Sequence, residues 1–150
     1  MKKILSTITL FISLINSLFS SPMDGIWKQY IYTDGISSNY IFDVEKDSKG
    51  RVWIGTQNGV TLIEGKLIQK FGSSKGLPAA NIIKVVSVND KIYAATSTKG
   101  IYILGEDGFF NKTSIVKGSS LSTMEKVGDK LFVSTNLENI LPVSYTHLRA

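Results

Sequence analysis

From residue 40 onward, apolar and polar residues alternate in short runs, each closed by Gly, Asn, Asp or Ser. That period of two predicts short β-strands joined by tight turns. Strands are expected at residues 40–44, 51–56, 60–63 and 66–71. Asp47-Ser48-Lys49-Gly50, Gln57-Asn58-Gly59 and Glu64-Gly65 read as the turns between them. The same order returns at residues 81–88, 91–96, 100–104 and 109–112, and a third time at 121–127 and 130–135. Upstream, residues 26–32 fit an outer strand with no inner partners before it. Trp53, Tyr93 and Phe132 hold the same place in the three copies, 40 and 39 residues apart.

A period near forty residues filled with four short strands is the mark of a repeat architecture, most simply a β-propeller. The expected fold is all-β: about two and a half four-stranded antiparallel blades, at residues 34–74, 75–116 and 117–141. Gly35, Gly76 and Gly118 precede the inner strands, where the chain crosses from one sheet to the next and positive φ is useful. Gly59 and Gly100 close the second-to-third turn, with Asn139 in that slot of the third copy. Trp53, Tyr93 and Phe132 are the expected wedges between neighbouring sheets. Gly55, Thr56, Thr96 and Thr135 complete the repeated positions. An array of this kind leaves two open sheet edges and an apolar flank, and so should be marginally stable or self-associating on its own.

The first residues change the setting. Met1-Lys2-Lys3, a largely apolar run over residues 4–19 and then Ser20-Ser21-Pro22 form a secretory signal, expected to be cleaved after Ser20. The run is 16 residues long and carries Ser6, Thr7, Thr9, Ser13 and Asn16, short and wet for a membrane span. Residues 21–141 are then the partial propeller, exported or periplasmic. There is no cysteine, which excludes disulfides, thiolate metal sites and a lipid-attached N-terminus. Formal charge is +5, or +3 once Lys2 and Lys3 leave, and the remaining lysines are scattered. The basic stripe that nucleic acid requires is absent. At the other end, Pro142 is a poor central-strand residue, and residues 142–150 resemble none of the copies. They read as a non-native or divergent tail, with native sequence stopping near Leu141 and the remaining blades in a longer chain.

Asp34-Gly35-Ile36-Ser37-Ser38-Asn39 and Trp53-Ile54-Gly55-Thr56-Gln57-Asn58-Gly59 form a close copy of a known pattern. Gly76-Leu77-Pro78, Asn81, Thr96 and Gly100 form a second, with Tyr93-Ala94-Ala95 where the pattern has Trp-Ile-Gly. The third copy is weaker. The chain thus resembles the two-component regulator propeller repeat family over residues 27–140. That resemblance implies a periplasmic, ligand-sensing propeller lying before a membrane helix and a histidine kinase or other output, with an inner-membrane anchor in the full-length protein. Other members of this group serve instead in secretion or surface assembly, which gives the alternative of a structural or interaction propeller of the envelope.

The catalytic inventory is thin. The single histidine, His147, lies in the tail, so no acid–base or nucleophile pair can be built on it. Asp34 with Asp43 cannot be placed at hydrolase spacing. Ser37-Ser38 and Ser119-Ser120 read as turn serines. Asp43-Val44-Glu45-Lys46-Asp47 lacks the glycine that a calcium loop needs after its third acid, since Ser48 stands there. These are strand-end acids beside a turn. Asp47, Gly50 and Trp53 are also similar to a sialidase-type Asp box with its aromatic one residue late, a motif whose role is structural. No metal or cofactor is expected, and the chain is read as non-catalytic. In a four-stranded blade the crossing into the inner strand and the second-to-third turn open at the same end. Those segments hold Asp34, Ser37, Asn39, Gln57 and Asn58 in the first copy and Asn81, Ser97, Thr98 and Lys99 in the second. Amides and hydroxyls there suit a small neutral ligand such as an oligosaccharide or a peptide. The expected partner is such a ligand or an envelope protein.

Overall fold

The computed structural model describes residues 27–115 and 120–135 and the backbone of residues 140–143. The signal segment, Gly118, Asn139 and His147 lie outside the described residues. Three antiparallel sheets follow one another along the chain. The first is β1 (Ile41–Lys46), β2 (Val52–Thr56), β3 (Gly59–Glu64) and β4 (Leu67–Phe71), in sequence order. The second is β5 (Ile82–Val88), β6 (Lys91–Thr96), β7 (Gly100–Leu104) and β8 (Phe110–Lys112). In the third, β9 (Leu121–Val127) and β11 (Ile140–Val143) flank β10 (Lys130–Thr135). The sheets are successive propeller blades with one shared register. A bulge falls between Ile41 and Asp43, between Ile82 and Lys84, and beside Leu121 where the β9–β10 pairing shifts at Ser134/Thr135. Trp53 stands opposite Glu45, Tyr93 opposite Val86 and Phe132 opposite Glu125.

Two expectations fail. The outer strand expected at residues 26–32 does not form: residues 27–31 are irregular, and Tyr32–Asp34 make a 3-10 turn. An outer strand needs a third strand to pair with, and no described strand pairs with this segment; Trp27 is 98% exposed. The second concerns Pro142, which was expected to break the third strand of the last blade. β11 instead runs through it, with Phe132 opposite Pro142 and Leu131 opposite Val143. Among the described residues β11 is an edge strand, where a missing N–H interrupts no further ladder.

Alternation along each strand sends one set of side chains to each neighbour. Trp53, Val60, Leu62 and Phe71 of the first sheet pack against Leu77, Ile82, Val85, Ile92, Ala94, Tyr102 and Phe110 of the second blade. The opposite face of the second sheet sends Val86, Val88, Tyr93, Ala95 and Ile101 against Leu121, Met124, Leu131 and Val133. Trp53 and Tyr93 are fully buried, whereas Phe132 is half-buried. Phe71 links the wedge to the next blade, 5.7 Å from the Trp53 ring and edge-on to Phe110 at 5.5 Å.

Gly35, Gly59, Gly76 and Gly100 all have positive φ. At Gly76 both reasons for glycine coincide, because φ is +87° and a Cβ would stand 2.1 Å from the Phe110 carbonyl oxygen. Gly55 is demanded by packing alone: a Cβ there would lie 2.9 Å from the Ile82 carbonyl oxygen and 3.2 Å from Val85 Cγ2. Gly55→Ala is therefore expected to cost about 1–3 kcal/mol by overpacking between the first two blades. Urea titration followed by circular dichroism checks this, and an unchanged midpoint would show that the blades do not approach this closely.

Candidate functional site: the turns at the two ends of the blades

The crossing segments and the second-to-third turns do meet at one end of the first two blades. In the first, Gln57 N–H donates to the Tyr40 carbonyl at 3.0 Å; in the second, Ser97 N–H donates to the Asn81 carbonyl at 2.9 Å. Each turn is shaped by the threonine that begins it. Thr56 Oγ1 donates to the Gly59 carbonyl and accepts from Asn58 N–H, while Thr96 Oγ1 donates to the Gly100 carbonyl and accepts from Lys99 N–H. Thr135 is buried in the third blade.

This holds the side chains of Gln57, Asn58, Thr98 and Lys99 outward, all exposed, with Asn81 half-buried beside them. Asp34 and Asn39 are exposed, yet each also serves the fold: Asp34 Oδ2 accepts from Ile31 N–H and Asn39 Oδ1 from Tyr32 N–H. Ser37 differs. It is buried, its hydroxyl donates to the Val60 carbonyl and accepts from Thr61 Oγ1, and its N–H donates to Thr61 Oγ1. Its polar groups are committed to docking the crossing segment onto the first sheet. Ser38 is the turn serine expected, accepting from Tyr40 N–H.

The concave surface lies at the opposite end, where sequence reasoning had placed nothing. A hollow of about 430 Å³ is bordered by Lys46, Ser48, Ser87, Asn89, Asp90 and Lys126. A larger one of about 1210 Å³ runs from Lys49 and Arg51 past Asn89 to Glu106 and Lys112. Both form between turns some forty residues apart in sequence, so no local pattern announces them. Asn89 and Asp90 both have positive φ, the geometry of a two-residue hairpin turn. Ser48 Oγ donates to Asp90 Oδ1 and ties that turn to the first blade.

The acids read as strand-end residues have definite tasks. Asp47 is buried and accepts from Trp53 Nε1, from Arg51 Nε and N–H, and from Lys49 N–H. Burial alone would raise its pKa; the hydrogen bonds from Trp53 and Arg51 outweigh that and hold it below the usual carboxylate value. Asp43 Oδ2 accepts from Val85 N–H at 2.8 Å and Glu45 Oε1 from Ser87 N–H at 3.0 Å. Inner strands of adjacent blades are thus joined by carboxylates rather than by ladder bonds. Lys84 bridges Asp43 at 3.2 Å and Glu125 at 2.9 Å, and its pKa is raised, chiefly by Glu125. With these acids engaged, the described residues hold no group of three or more His, Asp or Glu placed for a metal. No described helix is long and apolar enough to cross a membrane.

Residues 35–58 match the family described as two component regulator propeller. Over 59 residues the chain is 30% identical to histidine kinase P4 of Formosa agariphila, covering 39% of this chain and 4% of that protein. In structure it is similar to the extracellular domain of a protein assigned as a hybrid two component system of B. thetaiotaomicron. The TM-score is 0.62 at 14% identity, over 85% of this chain and 18% of that one. The chain therefore spans a small part of the length of either relative. With the Gly35-to-Asn58 pattern standing on β1, β2 and the turn that follows them, the first blade carries a two-component regulator propeller repeat.

Proposed function

We propose that these blades belong to the extracytoplasmic sensor of a two-component-type signalling protein and bind a small neutral ligand of the oligosaccharide or peptide class without transforming it. The observation that carries this reading is the repeated pairing of a crossing segment with a threonine-braced turn. It presents Asn39, Gln57 and Asn58 from one blade and Asn81, Thr98 and Lys99 from the next at the same end. Side-chain amides and hydroxyls offer both donors and acceptors, which neutral polar ligands need. A histidine kinase and a hybrid two component system among the similar proteins support a signalling output for the whole protein. The signal-like N-terminus supports export. The described residues include no histidine to serve a hydroxyl as general base.

Amide chemical shifts recorded with neutral oligosaccharides and short peptides test this. Perturbation is expected at Asn39, Asn58, Thr98 and Lys99, with Asn58→Ala weakening binding about tenfold, as the loss of one or two hydrogen bonds would. Shifts centred on Ser87, Asn89 and Asp90 would move the site to the opposite end and overturn the assignment. The reading frame beyond residue 150 tests the output. A membrane helix and kinase support sensing, whereas further β-modules without an output domain favour an interaction propeller of the envelope.

A further inference from the structure

The hollow of about 1210 Å³, at the opposite end from the candidate ligand turns, has a strongly charged lining. Lys49, Arg51, Lys91 and Lys112 face two acids, Asp90 and Glu106. Ammonium and guanidinium groups donate hydrogen bonds and accept none, so this lining suits an anion rather than a neutral sugar or amide. Ile92 also lines the hollow, and with Trp53 it belongs to the buried cluster that joins the first two blades. The walls that carry the charge therefore stand on two described blades packed against each other.

Arg51 supplies more than charge. Its Nε donates to Asp47 Oδ2 at 2.7 Å, and its Cζ stands 5.2 Å from the Trp53 ring centre. Asp47 is itself buried and fixed by Trp53 Nε1 and by the Lys49 and Arg51 N–H groups. The guanidinium is thus oriented before any ligand arrives. Among the described residues its two terminal NH2 groups have no hydrogen-bond partner, and the side chain remains 22% exposed, which leaves that edge reachable. This edge is the fork that takes a carboxylate or phosphate in paired hydrogen bonds. Asp47 offsets part of the charge, and the three lysines restore the excess.

The cation recurs with the repeat. Lys91 and Lys130 each open the second strand of their blade, opposite Val88 and Val127. Arg51 holds the same place, one residue before Val52, with its carbonyl accepting from Asp47 N–H. Positive charge at this end is therefore set out blade by blade, an arrangement that fits a ligand with more than one anionic group.

We propose that this hollow binds a small polyanion bearing carboxylate or phosphate groups, with one group on the Arg51 fork and the others among Lys49, Lys91 and Lys112. The site stands apart from the turns assigned to a neutral ligand, and different probes test the two.

Amide chemical shifts of the chain titrated with citrate and with pyrophosphate, in low-salt buffer without other multivalent anions, test the proposal. Saturable shifts are expected at Asn89, Asp90, Lys91 and Lys112, and none at Asn58 or Thr98. Arg51→Lys keeps the charge and loses the fork, whereas Lys91→Gln loses the charge alone. Each should weaken binding about tenfold. Lys91 is exposed, so its variant reports on binding even where Arg51→Lys disturbs the fold. Lys70→Gln removes the same charge from β4, outside the hollow, and should change binding less than about twofold. Whichever probe binds more tightly assigns the ligand to the carboxylate or the phosphate class. Shifts that never saturate would overturn the proposal. So would binding that Lys91→Gln leaves unchanged, or that Lys70→Gln weakens as much, since either outcome describes a diffuse positive surface.

Discussion

Trp53→Ala will destabilise the chain by about 3–5 kcal/mol, whereas Phe132→Ala, at the same repeat position, will cost about 1 kcal/mol. The difference follows from what covers each ring. Trp53 is fully buried between the first two blades, 5.7 Å from the Phe71 ring, with its indole N–H on Asp47 at 2.9 Å. Truncating it opens a cavity at the blade junction and strips a buried carboxylate of one donor. Phe132 is half-buried, with no described blade on its outer side. Urea midpoints measured at low protein concentration, where copies stay apart, separate the two cases. Equal losses would show that the third sheet is covered as fully as the first. The size of the Trp53 effect would then say nothing special about blade packing.

This contrast also marks how far the sequence could be read. Strand positions and the wedge role of Trp53 and Tyr93 were legible because alternation and the forty-residue spacing are local properties repeated in one chain. The expected strand at residues 26–32 was misread because its composition is that of a strand, but a strand exists only with a partner. Pro142 was misread for the converse reason: a residue unsuited to the middle of a sheet is tolerated at its edge. At the turn end, the exposed amides of Asn58 and Gln57 followed from turn chemistry, while the burial of Ser37 depended on Thr61, 24 residues away. The hollows at the other end could not be read at all, since Ser48 and Asp90 meet only once two blades are stacked.

The role of Asp47 could have been read from the repeat itself. In the first blade an acid stands beside the opening of the second strand and the wedge is tryptophan, which has an N–H to give. In the next two blades that place holds Val88 and Val127, and the wedges are Tyr93 and Phe132. A carboxylate stands there where the wedge carries an indole N–H that reaches it, and valine stands there where the wedge is tyrosine or phenylalanine. Asp47→Ala is accordingly expected to cost about 2–4 kcal/mol at neutral pH, because Trp53 Nε1 and the Arg51 N–H lose their acceptor in a dry setting. The loss should depend on pH with a definite sign. In the folded protein Asp47 has its pKa held below the ordinary aspartate value, so its charge stabilises the fold above that value. This contribution disappears as pH falls through the folded-state pKa. The gap between the unsubstituted chain and Asp47→Ala should thus be widest near neutrality and narrow below about pH 4. Paired urea titrations at neutral and acidic pH measure it. A gap that stays constant into acid would mean that Asp47 acts through its shape alone, and the charge would then have no part in holding Trp53 between the blades.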